Sequence, residues 1–218
     1  MKSMSRLFVC YGFLAFQLSQ GSYAAPEIRN PSFEDPVEQG NWECDRAAGW
    51  DRRGAWFNRE TSWSPVLKGE CLMAYHHWQI KQDDPSELYQ DLSGITAGKD
   101  FCFSVQVFKD KGTNFEYVEL RIEPANGGTP ISSVVYRMPD LKSGKWTQLS
   151  VSTKPVSSSL RVVISVKPGR SNQRKGALKF DEASISEDTK IGANIGLASP
   201  SPRINNMRLS AYNRITQR

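Results

Sequence analysis

The sequence predicts an all-β fold: two antiparallel sheets packed face to face as a two-sheet β-sandwich or jelly roll. Three observations carry this. Segments such as Phe115–Ile122 alternate apolar and polar residues with period two, as a strand with one buried face does. Clusters rich in Gly, Pro, Asp and Ser punctuate them, among them Ser93-Gly94, Asn126-Gly127-Gly128, Ser143-Gly144 and Pro168-Gly169. No internal repeat and no long amphipathic helix interrupts the pattern. Eight or nine short strands suit one sandwich between two short flanking segments.

Residues 1–24 read as a secretory signal peptide. Lys2 and Arg6 open it, and Leu7 to Phe16 is an apolar run too short to span a bilayer. Ser22-Tyr23-Ala24 then offers the small residues a signal peptidase reads, so cleavage is expected before Ala25. The mature protein is expected to be secreted, extracellular or periplasmic.

The stretch from Asn41 to Trp78 holds five of the six tryptophans: Trp42, Trp50, Trp56, Trp63 and Trp78. It also holds Phe57, Tyr75 and the only two histidines, His76 and His77. Tryptophan is most often core, and Trp42 and Trp50 are read that way. So many in one stretch exceeds what a small core needs, and indole faces also stack on sugar rings. The polar run Asn58 to Ser62 makes Trp56 to Trp63 look like loop, with Trp56 and Trp63 at least partly exposed.

Strands are expected at Cys71–His77, Leu88–Leu92, Phe101–Phe108, Phe115–Ile122, Ile131–Met138, Trp146–Ser152, Leu160–Val166 and Leu178–Ile185. Phe103, Val105 and Val107 share one face, with Cys102, Ser104 and Gln106 on the other. Val118, Leu120 and Ile122 are expected inward, with Tyr117, Glu119 and Arg121 outward. Leu160, Val162, Ile164 and Val166 are expected inward. Beyond Thr189 the chain has Ser199-Pro200-Ser201-Pro202, scattered Arg and no acid, and reads as a disordered basic tail, 189–218, able to touch an anionic surface.

Formal net charge is +5 overall. The leader and tail carry all of it and more, leaving the β-domain, 25–188, acidic by two charges. A domain without a basic surplus argues against a nucleic-acid binder. Cys44, Cys71 and Cys102 remain after cleavage, and export permits a disulfide. A Cys44–Cys71 bond would staple the ends of the aromatic stretch, leaving Cys102 as a free thiol in its strand.

An ordered series of short motifs resembles the jelly-roll carbohydrate-binding modules of the galactose-binding-like type, the group containing families four, nine and twenty-two. It begins with Asn30-Pro-Ser-Phe-Glu34, followed by Gly49-Trp50 and Gly69-Glu-Cys-Leu72. Leu88-Tyr-Gln-Asp-Leu92 with Gly94, Ile95 and Ala97-Gly98 comes next, then Phe101–Phe108. Trp146 with Leu149 and Val151, and Phe180-Asp181-Glu182-Ala183, close the series across roughly Ala25 to Glu187. The resemblance implies a non-catalytic module that stacks aromatic side chains on a polysaccharide or glycan. It implies a structural calcium joining first and last strands, carried over to Glu34 and Asp181 with main-chain oxygens near Asn30. Ligand binding in the group uses a concave sheet face or the loops at one end. Matched here, that selects Trp56, Trp63, Tyr75, His77 and Trp78, with Gln106, Tyr117, Glu119 and Arg121 from outward strand positions.

Two other readings stay open. A small jelly-roll polysaccharide lyase would centre on His77, Tyr75 and Arg121. Gln79-Ile80-Lys81 departs from the Gln-Ile-His of small alginate lyases, and the paired-carboxylate spacing of jelly-roll glycosidases is missing. A cell-surface or matrix protein-interaction module would turn the aromatic patch toward a protein and the basic tail toward an anionic cell surface.

Overall fold

The structure, a computed structural model, describes residues 25–37, 45–54, 57–76, 83–170 and 175–188. The expected leader and tail lie outside these residues, as do Trp42, Cys44, Trp56, His77 and Trp78. Among the described residues there are ten strands: β1 (Asp51–Arg53), β2 (Phe57–Glu60), β3 (Leu72–His76), β4 (Ser86–Ser93), β5 (Asp100–Lys109), β6 (Phe115–Pro124), β7 (Ser132–Arg137), β8 (Trp146–Thr153), β9 (Ser159–Pro168) and β10 (Ala177–Asp188). They form two five-stranded antiparallel sheets, ordered β1-β4-β9-β6-β7 and β2-β3-β10-β5-β8. The all-β sandwich is therefore as expected, and among the described residues no helix is long and apolar enough to cross a membrane.

Alternation decides which side of each strand is buried. Phe103, Val105, Val107, Val118, Leu120, Ile122, Leu149, Val151, Val162 and Ile164 all point into the space between the sheets. Burying a side chain of this size stabilises by roughly 1.5–3 kcal/mol. Two expectations change. The Phe57–Glu60 segment is edge strand β2 rather than loop, because Phe57 on its inward side packs 5.6 Å from Phe180 and so pins the register against β3. Cys71 is a free, buried thiol rather than half of a disulfide, and its Sγ accepts a hydrogen bond from Arg59 Nη2 at 2.8 Å.

The opening Asn30–Glu34 motif is a locked corner. Asn30 and Phe33 adopt left-handed backbone, at φ 51° and 58°. Asn30 holds the turn by donating to Asp35 O and Ala48 O and accepting from the Asp35 amide, while its own carbonyl accepts Trp50 Nε1–H at 3.1 Å. Gln90, buried in β4, mimics a neighbouring strand: its Oε1 accepts the Arg29 N–H and its Nε2 donates to Arg29 O. The far edge is closed by side chains. Tyr136 Oη of β7 donates to Ser150 O and accepts from Ser150 N, and Ser132 Oγ donates to Ser152 O. These three backbone groups of edge strand β8 are thus partnered, which helps blunt that edge.

Candidate functional site

The second sheet carries Asn58, Ala74, Lys179, Phe108 and Trp146 directly opposite one another on its outer face, one from each strand. At the usual strand spacing such a row spans about 19 Å. The next outward row on the three strands β10, β5 and β8 is Asp181, Gln106 and Gln148, followed after a bulge in β10 by Ser184, Ser104 and Ser150. The bulge puts Glu182 at φ 48° and lets the Ala183 amide reach Pro31 O.

A loop covers half of this face. The segment 61–71 crosses β3 and β10 and is fastened at three places. Trp63 packs its ring on His76, centroids 4.4 Å apart, with Lys179 Nζ 5.9 Å from the indole. Lys179 Nζ in turn donates to Ser64 O and pairs with Asp110 at 2.9 Å. The Leu67 and Lys68 amides both donate to Asp181 Oδ2, at 2.9 and 3.0 Å. Finally, the Glu70 and Cys71 amides donate to Glu34. Gly69, at φ +71°, is the position where only glycine fits, since a Cβ there would collide with the Glu34 carboxylate.

With the loop over β3 and β10, the open floor belongs to β5 and β8. It presents half-buried Phe108 and Trp146, 5.5 Å apart and tilted 55°, at one end. Gln106, Gln148 and Ser150 continue it over the buried Ser104, whose Oγ accepts from Gln148 Nε2 at 3.2 Å and bonds Ser184 Oγ at 2.8 Å. Trp63 stands on the loop side, half-buried. Aromatic faces beside a short row of amides and hydroxyls can stack on a ring and read its hydroxyls. Among these outward floor positions there is no carboxylate and no imidazole.

His76 lies under Trp63 and its Nε2 is 3.0 Å from Glu60 Oε1. Burial lowers the His76 pKa to about 4, and burial followed by the charge of Asp45 raises that of Glu60. A neutral imidazole donating its N–H to the Glu60 carboxylate satisfies both.

Of the expected ligand residues, the structure brings Trp63 and Gln106 to this one face. Tyr75 is corrected: it is fully buried, because Met73 and Tyr75 are the inward positions of β3, and its ring packs 5.4 Å from Phe57. Tyr117, Glu119 and Arg121 do point outward, but from β6, on the opposite side of the sandwich. There each guanidinium nitrogen of Arg121 is paired, Nε to Glu123 at 2.8 Å, Nη1 to Glu119 at 3.2 Å and Nη2 to Glu87. Burial opposes its charge, but the hydrogen bond and charge of Glu87, with Glu123 and Glu119, outweigh it and raise its pKa. Tyr75 and Arg121 therefore share no site, which removes two members of the lyase constellation from one another. Phe108, Trp146 and Gln148 were not singled out as site residues, although their outward parity was readable.

The calcium ligands implied by the resemblance serve another purpose here. A carboxylate offers about four acceptor positions. Glu34 uses three, two on Oε1 and one on Oε2, for loop amides. Asp181 also uses three, two on Oδ2 and one from the Glu182 amide on Oδ1. The Asn30 main-chain oxygen accepts from Trp50 Nε1 at 3.1 Å and from the Phe33 amide at 3.2 Å. Among the described residues no three His, Cys, Asp or Glu side chains converge. This donor set, filled by N–H groups, does not fit a cation that needs six to eight oxygens.

No protein-family model matches the sequence, and no curated protein matches it. Solved structures do. The chain is similar to TmCBM61, solved in complex with β-1,4-galactotriose: TM-score 0.52, 17% identity, over 76% of this chain and 100% of that one. It is similar to the arabinose-bound MgGH51 α-L-arabinofuranosidase at TM-score 0.54 and 14% identity, over 76% of this chain and only 27% of the enzyme. It is also similar to a sugar-binding protein of Bacteroides thetaiotaomicron, so described in its solved structure as a proposed role, at TM-score 0.50 and 11% identity, over 74% and 99% of the two chains. The fold is the jelly-roll β-sandwich of carbohydrate-binding modules.

Proposed function

We propose that this chain is an exported carbohydrate-binding module that holds a glycan without chemistry, on the β5–β8 half of the outer sheet face. The observation that carries the reading is the Phe108–Trp146 pair, half-open at the end of a floor of Gln106, Gln148, Ser104 and Ser150. Trp63, held over His76 by the fastened loop, forms the facing wall. The fold supports the reading, since carbohydrate-binding modules share it. A leader-like segment at residues 1–24 supports export. The opposite sheet offers a contrast: its outer face is filled by ion pairs around Arg121.

Affinity electrophoresis against a panel of neutral and acidic soluble polysaccharides tests this. Retardation by at least one glycan class is expected. Trp146→Ala and Trp63→Ala abolish it with unchanged far-UV circular dichroism, and Tyr117→Ala on the opposite face leaves it intact. Retardation by none, or loss in Tyr117→Ala alone, refutes the reading.

A further inference from the structure

At the rim of the sandwich, where β5 ends and the turn after β7 returns, an open cavity of about 450 Å³ lies apart from the aromatic floor. Lys109, Thr113, Asn114, Met138, Pro139 and Ser143 line it. Its size falls within the range of small-molecule sites.

Lys109 is the unusual member. It is 8% exposed, yet its ammonium has no carboxylate partner among the described residues. Of its three donors, one goes to Met138 O at 2.9 Å, and the Phe115 ring lies 5.9 Å from Nζ. Thr113 is buried too, and its hydroxyl is fixed by donation to Ala177 O. Buried ammonium groups are normally paired, because an unpaired charge taken out of water loses its hydration with nothing in return. By contrast, Lys179, equally buried, has Asp110.

A second observation is independent of that burial. The segments framing the cavity, 109–114, 138–145 and 175–176, carry Lys109, Lys111, Lys142, Lys145 and Lys175 against only Asp110 and Asp140. Asp110 is held by Lys179, and Asp140 accepts the Arg137 amide at 2.6 Å. Lys175 comes close to Gly112, on the cavity wall. The four exposed lysines form no ion pair with a described residue. Within a β-domain of net negative charge, the segments around this cavity thus carry five lysines against two aspartates, a local positive surplus that draws anions.

We infer that this cavity binds the carboxylate of an acidic sugar, with Lys109 as the buried counter-charge and the Ser143 hydroxyl within the same cavity. One buried ammonium balances a singly charged carboxylate better than a doubly charged phosphate. Burial lowers the Lys109 pKa, and an arriving anion relieves that cost. The sugar half of the assignment rests on the glycan-binding reading above. The carboxylate half rests on Lys109 and its setting.

Isothermal titration of the full chain with methyl β-D-glucuronide, methyl β-D-glucoside, D-glucuronamide and acetate tests the inference. The glucuronide is expected to bind and the two neutral sugars to bind at least about tenfold more weakly. Lys109→Met is expected to weaken the glucuronide about thirtyfold or more with Tm unchanged or raised, and Lys109→Arg to retain it. Met138→Glu, at an exposed wall position, places a competing carboxylate beside Lys109 and is expected to abolish binding even if the Lys109 variants fold poorly. Equal affinity for glucuronide and glucuronamide, equal affinity for acetate, or glucuronide binding unchanged in Met138→Glu overturns the inference. Trp146→Ala separates the two sites: it is expected to leave glucuronide binding intact while removing retardation by polysaccharide.

Discussion

Replacing Arg121 by methionine removes the cation around which the outer face of the first sheet is built. Its side chain is 12% exposed, and the carboxylates it serves, Glu87, Glu119 and Glu123, are 15%, 17% and 4% exposed. Deleting one partner of a buried ionic cluster costs about 3–5 kcal/mol, since the remaining charges stay desolvated and repel one another. For a domain of this size, each kcal/mol lowers Tm by about 2–4 °C. The expected fall for Arg121→Met is therefore roughly 6–20 °C in differential scanning calorimetry near neutral pH. Glu119→Gln is expected to cost at most about 1 kcal/mol, because two carboxylates still neutralise the guanidinium and like-charge repulsion falls. Glycan retardation at a temperature where both variants are folded is expected to match the parent. A Tm within 2 °C of the parent for Arg121→Met, or folded Arg121→Met protein that has lost glycan binding, would refute the assignment of this cluster to structure.

Three further outcomes follow from the second sheet. His76 titrates near 4 in the folded chain and near 6.5 when unfolded, so its contribution is complete above pH 6.5 and is lost as pH falls toward 4. The loss reaches at most about 3 kcal/mol, and His76→Gln, which keeps a donor to Glu60, is expected to flatten the Tm profile across that window. Asp181→Ala orphans three backbone amides in a fully buried position and is expected to lower stability by about 2–4 kcal/mol, seen in urea denaturation. Because those carboxylates already serve amides, millimolar calcium or excess chelator is expected to leave the parent Tm unchanged; a calcium-dependent rise would return Glu34 and Asp181 to a cation site.

The sandwich was legible because its strands obey period two with few exceptions: Val118, Leu120 and Ile122 face inward, and Tyr117, Glu119 and Arg121 outward, as the alternation demands. The same parity puts Phe108 with Gln106, and Trp146 opposite to Leu149, so both floor aromatics were readable. Density of aromatics drew attention to residues 41–78 instead. Tyr75 shows why density misleads: it shares the inward parity of Met73, and position in the pleat outweighs neighbourhood in the sequence. Other features lay beyond local pattern. Asp181 reaches the amides of Leu67 and Lys68 more than a hundred residues away, and that long-range capping turns the loop over β10 and leaves β5 and β8 open. Lys109 shows the same limit. Its burial depends on the start of β6, which brings Phe115 beside it, and on the turn after β7, which brings Met138 O to its ammonium.

The central claim is the face, and an amide chemical-shift titration of the labelled chain tests it most directly. The titrant is whichever polysaccharide retards the parent protein. The account predicts shifts confined to Ser104–Phe108, Trp146–Ser150 and the indole N–H groups of Trp63 and Trp146. Shifts centred on Tyr117–Glu123 and Ser159–Pro168, with the β5–β8 amides unmoved, would place the ligand on the opposite sheet and contradict it.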